Sequence, residues 1–481
     1  MRRRPCETRE LVLRVSDSDR GRRYQSCGLA RRSMQRDLDD VRPMARSPIL
    51  LSREAQLLLL TASASPDTTA LASLLSAGID WAGLCDLAQR ERAASIVWRQ
   101  VQRLGSIDPP STRDGGLRQL ATFSAARMLH LEHVLHEILA TLAGGGIEAL
   151  LLKGAGLAYT AYASFADRPM GDIDVLVLPE QAEEAWSLFR AQGWTWPSAQ
   201  WPRERYSAHQ HLPPLIQQAA GGARLEIHRD LLPGHGFRLA TDAVWARARR
   251  VPANDRVVLV PHPVHQLLHV CVHFAWSHGM QWGTWRALRD VAAITHRDDF
   301  AWSEFIELAR ESRAATCCFW TLRLTQRLAD TEIPEHVLAA LRPPSPEFVL
   351  DRLERHYVSN LFPSESSCPS VQLTNWLWEA GILPGRSGHG PARPWHVSER
   401  WMTEQERHDA ASARRHTPWA RLRNFRAWLR YVGRIVYPHT TSTHAGRSPS
   451  TSAVPLQGPY LTATVPHPTA TQGSSHDLTR R

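Results

Sequence analysis

The chain has 481 residues, 43% of them hydrophobic, which is long enough to bury a substantial core and is an ordinary globular composition. Its formal charge of +10 is concentrated at the two ends. Residues 1–43 carry twelve Arg against seven acids and residues 414–481 carry ten Arg against one Asp, which leaves the middle near −4 and excludes a basic nucleic-acid platform there.

Seven scattered cysteines, odd in number and without C-x-x-C spacing, predict reduced core thiols in a cytoplasmic protein. No apolar run reaches the ~18–20 residues that span a bilayer. The first stretch, "MRRRPCETRELVLRVSDSDRGRRYQS", lacks the continuous apolar segment of a secretory signal. It predicts a disordered basic leader over 1–45, with Met44 competing with Met1 as the start of translation.

Residues 46–143 predict a helical region. Blocks such as "REAQLLLLTAS" and "GLRQLATFSAARMLHLEHVLHEILATLA" place apolar residues at helical spacing, and "GGG" at 144–146 ends the last helix. The period then changes, and an α/β core is expected over 144–260. "IEALLLK" (147–153) suits a buried strand, "AGLAYTAYA" a helix, and "DIDVLVL" (172–178) a second strand. "PEQAEEAWSLFRAQGW" opens with proline, places acids in its first turn and ends at Gly193, the signs of a helix. "HLPPLIQQ", a turn, and "LEIHRDL" predict a hairpin whose first arm, with two prolines, is an edge strand.

Helical spacing returns over 261–440, in "PVHQLLHVCVHFAW", "TWRALRDVAAITHRD" and "AWSEFIELARESRAATCCFWTLRLTQRL". A basic amphipathic helix is expected at 417–437. Packing on the body with its arginines in solvent is favoured over weak contact with an anionic membrane surface. Residues 441–481, rich in Thr, Ser, Pro and Gly, predict a disordered tail.

The chemistry-bearing residues lie in the α/β core. Asp172 and Asp174 alternate with apolar neighbours, which puts both carboxylates on one face of a strand, about 7 Å apart. Such carboxylates repel unless a cation lies between them, and Mg²⁺ suits the pair because it keeps open positions for phosphate oxygens. Glu226, between Leu225 and Ile227, is a third strand acid, and three converging carboxylates suffice for two metals and for orienting an attacking hydroxyl. Lys153 is the only lysine in a chain that otherwise uses arginine. With Gly154 it occupies a strand-to-helix turn, where a phosphate meets free backbone N–H groups. Arg168 and Gly171, beside the aspartates, complete the expected phosphate-binding set.

His265, His269 and His273 follow one another at i, i+4 spacing. That is a zinc-ligand spacing, but without an H-E-x-x-H arrangement packing or substrate contact is favoured. Trp276, Trp282 and Trp285 are expected in the core, as are Cys317 and Cys318. His228 shares the face of Glu226 and either touches substrate or supports that acid.

Through "LLKGAGLAYTAY", "RPMGDIDVLV", "HQHLPPL" and "LEIHRDLLP" the sequence resembles the uncharacterised bacterial nucleotidyltransferases of the DNA polymerase beta superfamily. The resemblance runs roughly over residues 50–330 and is strongest from 147 to 232. It implies an α+β fold, a minimal nucleotidyltransferase mixed sheet with flanking helices, embedded between largely helical regions. It further implies Asp172 and Asp174 as paired metal ligands, Glu226 as the third acid, and Lys153 with Gly154 in place of the glycine-serine phosphate turn. Two features depart from the superfamily pattern: Ala155 follows the turn glycine, and 17 residues separate Gly154 from Asp172.

The expectation is therefore a Mg²⁺-dependent nucleotidyltransferase, with two ions, moving a nucleotide from an NTP such as ATP to an acceptor that is a small molecule, a peptide or a protein. Two other readings stay open. One is a D-x-D glycosyltransferase using a nucleotide-sugar and Mn²⁺. The other is a non-catalytic binding module of a biosynthetic cluster that keeps the fold.

Overall fold

Side-chain caps fix where the first helices begin. Ser52 accepts the Ala55 N–H at the start of α1 (Arg53–Leu60), Asp67 accepts from Thr69 and Ala70 at α2 (Thr68–Ser76), and Asp80 accepts from Ala82 at α3 (Trp81–Arg90). Helices α4 (Ala94–Arg103) and α5 (Leu117–Gly144) follow. The glycine triplet ends α5 as expected, with Gly146 at φ +73°.

The computed structural model describes residues 51–105, 116–196, 203–207, 209–218, 221–234, 236–254, 256–296, 299–362, 378, 381 and 382. All of them fall within the compact unit Leu50–Arg481. The expected leader, the basic helix at 417–437 and the tail lie outside the described residues.

The described residues form an α+β structure of fourteen helices and one six-stranded mixed sheet. Strand β1 is only Leu150–Leu151. The expected strand over 147–153 is trimmed at both ends: the Ile147 N–H still closes the end of α5 on Leu142, and Lys153 already opens α6 (Lys153–Thr160). Strand β2 is Ile173–Leu176, so Asp172 sits on a bend just before the strand rather than within it. A short 3-10 turn at Pro179–Gln181 leads into α7 (Ala182–Ala191). The hairpin of β3 (Leu215–Ile216) and β4 (Arg224–His228) forms, and β3 is a short edge strand as its prolines require.

A second hairpin was not anticipated. After α8 (Thr241–Ala246), β5 (Arg249–Ala253) and β6 (Arg256–Val260) pair antiparallel around a tight turn. The sheet order is β3-β4-β2-β1-β6-β5, with β2 and β4 parallel and β1 and β6 parallel.

One face of the sheet packs against α5 and α7. Met128, Leu131, Leu135, Ile138 and Leu142 meet Ile173, Val175, Leu225 and Ile227, with Trp186 and Phe189 closing the layer. Burying each such side chain contributes about 1.5–3 kcal/mol. By strand alternation Asp174, Glu226 and His228 face the other way. There they meet α6 and α9 (Pro263–Val272), which continues into one π-helical turn at His273–Ser277.

Beyond it lie α10 (Thr284–Thr295), α11 (Trp302–Glu311), α12 (Ala315–Leu328), α13 (Glu335–Leu341) and α14 (Glu347–Ser359). The apolar block read over 301–328 is thus two helices, broken where Arg313 adopts φ +57°. Arg323 on α12 pairs with Glu347, Asp351 and Glu354, which holds α14 in place. Glu91, at the end of α3, accepts the Trp285 N–H at 2.9 Å, and Trp285 Nε1 donates to Thr61, so the start of α10 is tied to the N-terminal helices.

Cys271, Cys317 and Cys318 are buried and Cys85 is half-buried; all four are free thiols. Trp276 and Trp285 are buried as expected, whereas Trp282 is 43% exposed because it sits in a turn before Gly283. No described helix is long and apolar enough to cross a membrane.

Candidate functional site

The parallel pairing of β2 with β4 decides the site. Its register sets Asp174 beside Glu226 and Leu176 beside His228, and neighbouring strands lie about 4.8 Å apart. Two acids separated by 52 positions therefore stand next to each other on one face. The Leu152 N–H bonds the Asp174 carbonyl at 2.9 Å and fixes the end of β1 against β2. The next residue is Lys153, whose backbone takes φ +43° as it enters α6. A left-handed conformation disfavours a residue with a Cβ, and here it aims the side chain back over the sheet.

The Lys153 ammonium lies between the acids, 2.5 Å from Asp174 Oδ1 and 3.6 Å from Glu226 Oε2. His228 Nε2 is 3.0 Å from the same Asp174 oxygen and 3.9 Å from Glu226 Oε2. Arg224 holds the other oxygen of Glu226, with Nη2 at 2.9 Å. His211 Nε2 is 3.6 Å from Glu226 Oε2, while its Nδ1 donates to the Leu212 carbonyl at 2.7 Å. Asp174, Glu226 and His228 are all buried.

The cluster sets Asp174, Glu226 and the nearby Asp172 against Lys153 and Arg224. Burial pushes the Asp174 carboxyl up to about 8, Asp172 and Glu226 adding repulsion against the pull of Lys153. Burial also opposes ionisation of Glu226, but His211, Lys153, Arg224 and His228 together hold it well below the carboxylate range. Burial works against the Lys153 charge too, yet Asp174, Glu226 and Asp172 keep its ammonium above the ordinary lysine range. His228 is pushed down to about 3 by burial, with Lys153 next, so it is a neutral imidazole with a lone pair to offer. One oxygen from each of Asp174 and Glu226 and one His228 nitrogen lie within 4.8 Å of one another, a spacing that one divalent cation can bridge. The carboxylates suit Mg²⁺, and the added imidazole makes the set equally suited to Mn²⁺.

The expected phosphate-binding residues are placed differently from one another. Lys153 reaches the acids. Gly154 is buried in α6, where the position of a Cβ is hemmed in by Met170 Cβ at 3.0 Å and Arg168 Nη1 at 3.4 Å, so this glycine serves close packing. Arg168 is buried in a fork with Asp290, Nε to Oδ1 at 2.6 Å and Nη2 to Oδ2 at 2.7 Å, and its Nη1 donates to the Pro169 carbonyl. The Tyr162 hydroxyl donates to the same aspartate at 2.6 Å. Every guanidinium nitrogen of Arg168 is thereby engaged, and its role is to hold α10 against the loop that carries Asp172. Gly171 lies under the Arg92 guanidinium, which a Cβ there would strike.

Of the three helical histidines, His269 faces the site, its ring centroid 6.3 Å from that of His228. His273 follows at 6.1 Å from His269, and His265 is pushed down to about 4 by burial, with Arg247 and His262 adding to it. They form no metal-binding group among the described residues.

Residue-level reading missed His211, Arg224, Arg92 and Asp290. Arg224, Glu226 and His228 alternate along one strand face, a signal available in the sequence. The other three come from distant segments, which only folding brings together.

A search of curated proteins finds no match for the chain. Residues 77–330, which run from the end of α2 past the end of α12 and enclose the sheet, the acids and α9, match the model of a family described as uncharacterised nucleotidyltransferase. That span is more than half of the chain, and the protein belongs to this family.

Proposed function

We propose that this nucleotidyltransferase moves a nucleoside monophosphate from an NTP to an acceptor in a reaction that requires a divalent cation held by Asp174 and Glu226, with Asp172 at the margin. The observation that carries the proposal is the Asp174–Glu226 register: two buried carboxylates are forced side by side, with one oxygen of each and a His228 nitrogen within 4.8 Å of one another. The donor set fits Mg²⁺ or Mn²⁺, and His228 is placed to contribute its Nε2. A bound cation of this kind supplies Lewis-acid polarisation of a phosphoryl oxygen and neutralises developing charge.

The chain's own groups do the rest. Arg224 fixes one oxygen of Glu226 and leaves Oε2 facing the site, where it orients an acceptor hydroxyl. Lys153, a mobile point charge on a long stem, bonds Asp174 in the resting site and turns to phosphate oxygens when nucleotide enters. His269 and α9 close the face against water. Rate enhancement then comes from positioning and charge stabilisation, since phosphoryl-type transfer asks little covalent work of the protein.

The test is incubation of the purified protein with labelled NTPs, Mg²⁺ or Mn²⁺, and cell extract, with mass spectrometry for a nucleotide adduct. Wild type forms an adduct and Asp174→Asn does not; equal yields from the two would remove the carboxylate mechanism.

A further inference from the structure

We propose that the Lys153 ammonium holds the seat of the divalent cation, and that ion and nucleotide bind cooperatively because the phosphates draw this ammonium off the carboxylates. The proposal rests on the nucleotide-transfer reading above and states how the two ligands of that site enter it.

The oxygens that would hold the ion are the two that the ammonium addresses. Nζ lies 2.5 Å from Asp174 Oδ1 and 3.6 Å from Glu226 Oε2. His228 Nε2 faces the same two atoms, at 3.0 and 3.9 Å. Mg²⁺ binds its oxygen ligands at about 2.1 Å, so an ion on these atoms and the ammonium would be neighbouring cations. The side chains of Lys153, Asp174 and Glu226 are 17%, 2% and 8% exposed, and water screens such a repulsion poorly there. One of the two cations has to leave.

Lysine suits this post. It is the single lysine among 57 Lys and Arg residues, at the first position of α6, with a compact head on a four-carbon stem. Arg168 shows the alternative, a planar fork fixed on Asp290 by two bonds.

An ion arriving alone would leave the ammonium buried without a partner, which is costly. A nucleotide arriving alone meets carboxylates that repel its phosphates. When both arrive, the ion takes the carboxylates and phosphate oxygens take the ammonium, so each ligand removes the obstacle to the other. By linkage, each then raises the affinity for the other by the same factor. A purely structural ion pair gives neither effect, since it keeps its partners when ligands bind.

The lone lysine makes the test direct, because protein grown on ε-¹³C-lysine gives a single side-chain NMR signal. Expected is a signal that stays in place with Mg²⁺ alone, or with α,β-methylene-ATP in EDTA, and shifts when Mg²⁺ and the nucleotide are added together. A signal that Mg²⁺ alone shifts fully, or that never moves while calorimetry records nucleotide binding, overturns the proposal. In a second measurement, without nucleotide, Lys153→Met should bind Mn²⁺ about tenfold more tightly than wild type, because no ammonium competes. Equal or weaker binding overturns the proposal; if the variant does not fold, the NMR titration of wild type decides alone. Asp174→Asn separates the two ways of failing. Loss of ion-dependent methylene-ATP binding in that variant, with the lysine signal unmoved in wild type, removes the cooperative exchange and leaves the transferase reading standing. A wild type that binds no nucleotide with either ion takes down both.

Discussion

Two buried charge clusters lie close together in this protein, and they are built on opposite plans. In the first, Arg168 meets Asp290 one to one, Tyr162 and the Pro169 carbonyl complete the bonding, and nothing is left for a ligand. In the second, Lys153 faces Asp174, Glu226 and Asp172 at once, Arg224 holds the far oxygen of Glu226, and burial with the neighbouring acids raises Asp174. The first cluster is a strut. The second keeps three ligating atoms, one each from Asp174, Glu226 and His228, within 4.8 Å of one another, and that grouping separates a candidate binding site from a structural ion pair more sharply than residue type does.

The contrast is open to attack, beginning where the largest effect is expected. Asp174→Asn should lower nucleotide transfer by roughly 10⁴-fold, about 5 kcal/mol of transition-state stabilisation, while its unfolding free energy in urea changes by less than about 1 kcal/mol. A large loss of stability with transfer preserved would invert the two roles. Asp290→Ala should do the reverse to the fold: it leaves the Arg168 charge buried and unpaired, and denaturation should show a loss of about 3–5 kcal/mol.

Lys153→Met should destabilise the cation-free protein by about 2–3 kcal/mol, because the carboxylates lose their resident counter-charge. The same variant should gain more thermal stability from added Mn²⁺ than wild type does, since the ammonium no longer competes for Asp174. A smaller gain would mean that Lys153 helps to hold the ion. The smallest effect is expected far from both clusters, where Asp67→Ala removes the cap of α2 at a cost of about 1 kcal/mol and leaves transfer unchanged.

The helices and their ends were largely legible because the signals are local. Apolar spacing gave the N-terminal helices, the glycine triplet gave the end of α5, and paired prolines marked β3 as an edge. The β5–β6 hairpin went unseen although "RRVPA" and "RVVLV" flank a tight turn, because exposed arginines mask its alternation. The expected pair of aspartates on one strand became a bend residue and a strand residue, since the ladder begins only at Ile173.

What the sequence determined alone is chemical inventory: one lysine at a strand-to-helix turn, a D-x-D segment, and an acid flanked by apolar residues in a later strand. These follow from covalent order and from side-chain periods of two and 3.6 residues. Only the tertiary structure decided their partners. The parallel register placed Glu226 beside Asp174, the approach of α10 gave Arg168 to Asp290 instead of a phosphate, and the end of α3 brought Arg92 over Gly171. Strand register and helix packing are set by the fit of apolar faces, so which charge is left unmatched is fixed only when the core closes.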